Sequence, residues 1–245
     1  MSGSSLAELL IAVLANMLDG LGHVAVGAAS PIPAAAALLA KERSGGGLRV
    51  SILGSERHNP FTDGGKELFD CAAEGRIDAF FLGGGQIDGE ANINLVGIGD
   101  YPESKVRWPG SFGSAFLYFM VPRVILFRDV HNPRLFVPKV DFISAPGASP
   151  DNVFRPGGPY ALVTSKAVMG FDRQARRFRL TSLHPGESLN DLIAATGFDF
   201  DHDDAPSVTP EPDQATRRLI KGPIGKAVAE TYPAFAARLA GEMSG

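Results

Sequence analysis

Phe81–Gly113 reads FLGGGQIDGEANINLVGIGDYPESKVRWPGSFG. An apolar run ends at Leu82 and Gly83, Gly84 and Gly85 follow at once. A second glycine turn, Pro109-Gly110-Ser111-Phe112-Gly113, comes about one strand later. Residues without side chains at the end of a strand let a ligand or another chain approach the backbone, and let amides converge on an anion. The stretch is not GxGxxG: GGGQID lacks the third spaced glycine and no clear helix signal follows, which argues against a dinucleotide site. These residues alone give a ligand-binding α/β domain.

Outward from there the chain alternates between two periodicities. Leu6, Leu9, Leu10, Val13, Leu14 and Met17 repeat as one face of a helix, and Ser5-x-x-Glu8 offers a capping box at its start. His23–Gly27 reads as a strand, Ala28–Pro33 as a turn, Ala34–Arg43 as a helix, Leu48–Leu53 as a second strand and Lys66–Ala73 as a short helix. Asp78–Leu82, Ile93–Ile98, Arg123–Phe127, Val140–Ser144, Tyr160–Thr164 and Arg177–Leu183 are short β-type runs bounded by Gly, Pro or Asn. Ser188–Ala195, Gln214–Lys221 and Pro223–Leu239 read as helices, and the acidic Asp199–Asp213 as an extended strap. The pattern predicts an α/β fold: an open, largely parallel mixed sheet with helices on both faces. A single domain over 1–245 is expected, with its core in about 20–220 and a helical tail in 221–245.

Composition bounds the partners. The 245 residues carry 29 glycines and 18 prolines, so tight connections outnumber those of a helical bundle. A net charge of −4 and no basic stripe argue against nucleic acid. The apolar start, Leu6–Leu18, has no Lys or Arg before Lys41 and contains Glu8 and Asn16, so neither a signal peptide nor a membrane helix is expected. Cys71 is the only cysteine, which excludes an intramolecular disulfide and CxxC metal motifs and suits the cytoplasm. It is read as an apolar filler.

GGGQIDGEANIN (Gly83–Asn94) followed by IGDYPESKVRWPGSFGSA (Ile98–Ala115) resembles the β subunits of class I CoA-transferases, of the glutaconate CoA-transferase kind. That family's pattern runs GGAQID, GN.N, IGDY, PGSGG. The resemblance continues through VDFISAPG (Val140–Gly147), YALVTSKAVMGFD (Tyr160–Asp172) and LTSLHPGESLNDLIAATGFDF (Leu180–Phe200), and back to VAVGAASPIPAAAALLA (Val24–Ala40). It covers roughly residues 20–220, and several separate motifs in order make it specific.

The resemblance implies an enzyme subunit that works with an α-type partner, as α2β2 or a related assembly, on acyl-CoA and carboxylic acids. Coenzyme A enters as substrate and no permanently bound cofactor or metal is implied. A β-subunit glutamate attacks the thioester and passes through a glutamyl-CoA intermediate, which splits one difficult transfer into easier steps. Gly83, Gly84, Gly85, Gln86, Gly110, Ser111 and Gly113 are the candidates for lining the acyl and pantetheine pocket, where amides stabilise an oxyanion. The family's glutamate follows the strand matching Leu48–Leu53, in contexts such as SENG. Here the chain reads ILGSERHNPF. Matched on the short motif, Glu56 is the nucleophile; matched on the strand without a gap, the position falls on Gly54. The second alignment resembles the steroid ring-cleaving hydrolases, whose β subunits lack the glutamate. A third reading is a CoA-binding subunit without chemistry.

Other residues take structural expectations. His184 and His23 are read as structural, His58 as a loop histidine, and His131 and His202 lack partners at metal-ligand spacing. Trp108 and the Phe116, Tyr118, Phe119 cluster are read as core or subunit interface. Arg173, Arg176, Arg177 and Arg179 form a solvated basic turn, and Asp88 and Asp100 shape loops.

Overall fold

A computed structural model describes residues 5–241. In chain order its elements are α1 (Leu6–Asn16), β1 (His23–Val26), α2 (Pro31–Arg43), β2 (Arg49–Ile52), α3 (Gly65–Ala73), β3 (Ala79–Leu82), β4 (Gln86–Ile87), β5 (Ile93–Asn94), β6 (Gly97–Ile98), β7 (Val106–Arg107), α4 (Ser114–Met120), β8 (Arg123–Phe127), β9 (Pro159–Val163), β10 (Ala167–Asp172), β11 (Arg177–Leu183), α5 (Leu189–Ala195), β12 (Ser207–Val208), α6 (Gln214–Leu219), α7 (Gly225–Val228) and α8 (Pro233–Ala240). Contacts divide these residues into two compact units.

The first unit takes residues 5–64, 76–81 and 211–241. Its strands run β2-β1-β3, all parallel, with His23 opposite Arg49 and Val24 opposite Ala79. The strands are buried throughout except Arg49, as parallel strands covered on their faces must be. At the start of α1 the capping box forms: Ser5 Oγ accepts from Glu8 N and Glu8 Oε2 from Ser5 N. α2 begins three residues earlier than its alanines suggest, because Pro31 at its first position has the helical φ already and lacks an N–H that would go unbonded there. Ala34 to Ala37 are completely buried, and their small side chains let α2 pack closely on α1.

The sequence expectation of one long C-terminal helix from Pro223 fails. Pro223 cannot donate, and Ile220–Ile224 opens into a π-turn around it. Pro233 then starts α8 afresh, leaving Ala229–Tyr232 as a break between α7 and α8. Residues 242–245 of the expected tail lie outside the described residues.

The second unit takes residues 65–75 and 82–210. Its strands run β8-β9-β10-β11-β12, parallel at the two outer pairs and antiparallel between β9, β10 and β11. Among the strands β1–β3 and β8–β12 the pairings described are four parallel and two antiparallel, in agreement with the predicted mixed α/β class. Two expectations fail here. Ile93–Ile98 is not one strand: β5 pairs with β4 and β6 with β7. The Asn94 side chain causes the break, accepting from Val96 N and Gly97 N and donating to Gly97 O, a local competition with the ladder. Val140–Ser144 is not a strand either: Val140 N and Asp141 N donate to the Asp88 and Gln86 side chains, and only at Ser144 does an amide reach a backbone oxygen, that of Ile93. Besides the two-residue strands β4, β7 and β12, the sequence reading missed β10, which contains Gly170, and α4, whose aromatic run hides its helical period.

Candidate functional site

The loop after β2 belongs to the first unit. Leu53 N donates to Val26 O, and the chain then turns through Gly54 at φ +88°. Ser55 is buried, Glu56 and Arg57 are exposed and His58 is half-buried. The loop is held by a carboxylate from far along the chain. In the break after α7, Glu230 accepts from Ser55 Oγ at 2.8 Å, from Glu56 N at 2.5 Å and from Thr231 Oγ1 at 2.6 Å. Ser55 Oγ in turn accepts from His58 N.

These bonds hold the Glu230 carboxyl down at about 2, the Thr231 hydroxyl contributing most, then the Glu56 amide. Burial pulls the His58 imidazole below its ordinary value, with Lys41 acting the same way and Glu230 opposing. Glu56 itself makes no side-chain hydrogen bond or ion pair among the described residues, so it is not paired with Arg57. Gly54 is exposed, with open space where a side chain would begin. Sequence reading missed Glu230 because Pro223–Leu239 read as one helix, which hid the break that carries it.

The glycine stretches belong to the second unit. A Cβ on Gly85 would fall 2.2 Å from the Trp108 ring, and one on Gly110 would fall 3.1 Å from Leu95. Gly85 N donates to Asn94 O, so that amide is committed within the protein. Gln86 is buried and its Oε1 accepts from Asn94 Nδ2 at 2.7 Å and Asp141 N at 2.9 Å. Gly84 has Gln86 O and Ile93 at 2.8 Å from its missing Cβ, and the space beside Gly113 is filled by Phe69. Ser111 is exposed and offers its carbonyl to Ser114 Oγ. Gly83, at the carboxyl end of β3, faces Phe127 O and the Arg128 side chain.

Asp88 ties the following turn, accepting from Glu90 N, Asn92 N and Asn92 Nδ2. Asn92 Oδ1 accepts from Gly147 N, and the buried Tyr118 hydroxyl donates to Ala91 O. The loop is held partly by its own side chains and partly by bonds to Tyr118 and to the stretch from Asp141 to Gly147.

The remaining candidates are placed plainly. His23 bonds Arg76 O and Ser51 Oγ, and His184 bonds Thr164 O and Thr209 Oγ1; burial lowers both. His131 lies between Thr164 and Thr196 with its pKa pushed down to about 4 by burial. Arg176, Arg177 and Arg179 pair with Asp151, Asp201 and Asp203. Phe112 and Phe116 are exposed and flank Phe69, while Cys71 is only half-buried. Among the described residues no three His, Cys, Asp or Glu side chains gather as metal ligands, and no helix is long and apolar enough to cross a membrane.

Parallel strands that end in a pinned acidic loop in one unit and in a bonded glycine loop in the other are those of an α/β protein. The Coenzyme A transferase family model matches residues 7–195, and the chain belongs to that family. It is 34% identical over 151 residues to one of the subunits of glutaconate CoA-transferase from Acidaminococcus fermentans, covering 59% of this chain and 56% of that one. It is 28% identical over 160 residues to the cholesterol ring-cleaving hydrolase IpdB subunit of Rhodococcus jostii, covering 64% and 62%. The chain thus spans little more than half the length of these curated relatives. Among solved structures, the decarboxylase AibA/AibB superposes with a TM-score of 0.77 at 25% identity, covering 96% of this chain and 98% of that one.

Proposed function

We propose that this chain is the β-type subunit of a cytoplasmic enzyme that moves coenzyme A between carboxylic acids, with Glu56 as its nucleophile. The observation that carries the reading is an exposed, unpaired carboxylate on a loop whose backbone Glu230 pins in place. A nucleophile must be free to react yet held in position, and Glu56 meets both conditions. Its carboxylate attacks the acyl-CoA carbonyl and expels the CoA thiolate, leaving a mixed anhydride. The thiolate then attacks the glutamyl carbonyl, releases the first acid and forms glutamyl-CoA. A second carboxylate runs the same steps backwards to leave as the new CoA ester.

Coenzyme A is substrate throughout, and no resident cofactor takes part. Gly83, Gly110 and Ser111 line the acyl and pantetheine pocket in this reading, while Gly84, Gly85, Gln86 and Gly113 give it shape. An α-type subunit completes the enzyme, most simply as α2β2, since the relatives it resembles are named as subunits. The tail through Glu230 is then part of the catalytic domain, because it fixes the nucleophile's loop.

One comparison favours a second reading. Matched on β2 without a gap, the nucleophile's position falls on Gly54 rather than Glu56, and the hydrolase IpdB subunit is among the relatives. In that case water is the acceptor and the chain supplies walls and donors.

The test is co-expression with the α-type subunit, purification of the complex and assay with acyl-CoA in the presence and absence of an acceptor acid. Acyl-CoA consumption that requires the acceptor and yields its CoA ester supports transfer. Free CoA released without an acceptor supports the hydrolase.

A further inference from the structure

Two arginines of this unit, Arg128 and Arg177, have a buried Nε without a partner, but Arg177 pairs with Asp201 through Nη2 and Arg128 pairs with no acid among the described residues. Arg176 and Arg179 pair with aspartates, and Arg155 and Arg173 donate to main-chain carbonyls. The Arg128 side chain makes no hydrogen bond or ion pair among the described residues, yet its Nε is shut off from water. A buried N–H without an acceptor is costly and rare, and it calls for an explanation.

Its position supplies one. Arg128 directly follows β8, and its amide donates to Val163 O, the last residue of the parallel neighbour β9. It therefore stands at the carboxyl edge of parallel strands, where α/β proteins take their ligands. Its Cδ and Nη1 lie 3.6 and 3.9 Å from where a Gly83 side chain would begin. Glycine at 83 leaves the guanidinium uncovered on that side.

We propose that Arg128, beside Gly83, is an anion anchor: a planar fork of donors for a carboxylate or phosphate group of the ligand. Two sources share this chemistry, a second carboxylate on the acyl chain and a phosphate of coenzyme A. The inference rests on the acyl-CoA reading only for the identity of that ligand.

The test begins with the full chain alone, titrated with glutarate and with inorganic pyrophosphate by calorimetry. Wild type should bind at least one, and Arg128→Gln should weaken that binding about tenfold, with Arg128→Lys in between. Equal binding by wild type and Arg128→Gln, or no binding of either anion by wild type, overturns the proposal. Unchanged thermal unfolding of Arg128→Gln certifies that it is folded.

The assembled enzyme then separates the sources. A fall of about tenfold in kcat/KM for glutaryl-CoA relative to butyryl-CoA in Arg128→Gln assigns the acyl carboxylate. An equal fall for both esters, together with lost discrimination between CoA and dephospho-CoA, assigns the phosphate. Unchanged ratios in both comparisons overturn the anchor. If the complex acts on no CoA ester, the proposed function fails while anion binding by the full chain still stands.

Discussion

Two loops at strand ends are built on opposite principles. The one from Gly83 to Gly97 is closed mainly by neighbours in sequence, Asp88 with Asn92, Gln86 with Asn94, Asn94 with Gly97, and is seated on Asp141 and Gly147. The one from Gly54 to His58 is closed by Glu230, some 175 residues away from Ser55. A self-knitted loop is rigid wherever its own residues are kept. A loop held by one distant carboxylate depends on the tail that delivers it, and a single substitution there should act at a distance.

The largest expected effect breaks the self-knitted loop. A Cβ on Gly147 would fall 2.0 Å from the backbone oxygen of Glu90, which no rotamer change can relieve. Gly147→Ala should therefore cost about 3 kcal/mol or more, read as a lower midpoint in chemical denaturation. Next, Glu230→Ala releases the other loop. It should lower kcat about a hundredfold, as small misplacements of reacting groups do, with little change in KM. Glu230→Gln, which keeps an oxygen for the Glu56 amide, should recover part of that loss.

Acid should loosen the two regions in sequence. His131, in the second unit, is held neutral: its folded pKa of about 4 lies below the unfolded 6.5. Its contribution is complete above pH 6.5 and is lost as pH falls toward 4, on the order of 2 kcal/mol. Glu230, also depressed, contributes above the unfolded 4.5 and loses its hold only as pH falls toward about 2. Hydrogen exchange between pH 6.5 and 4.5 should thus quicken around His131 before it quickens at Glu56. The smallest effect is Gly54→Ala. Nothing crowds that position, so only the left-handed φ opposes a side chain, at about 1 kcal/mol.

The same contrast explains what could be read from the chain. Class, many strands and the α1 capping box were legible because each depends on nearby residues or on a specific run of motifs. Ile93–Ile98 looked like one strand because apolar spacing does not reveal that Asn94 takes the ladder's bonds for itself. Val140–Ser144 failed for a related reason: its first amides go to side chains of the glycine loop, and it meets strand β5 only at Ser144. Glu56 was legible as a candidate, but its support was not. Glu230 follows a π-turn forced by Pro223 and precedes a helix restarted by Pro233, and no local pattern links that break to Ser55.

The central claim is that a glutamate freed on a pinned loop takes the acyl group and then coenzyme A. Incubating the assembled complex with acyl-CoA, quenching with borohydride or hydroxylamine and mapping the peptides by mass spectrometry tests it directly. The account predicts a modified Glu56 that appears only with acyl-CoA. Turnover without any modification there, persisting in Glu56→Ala, would contradict it.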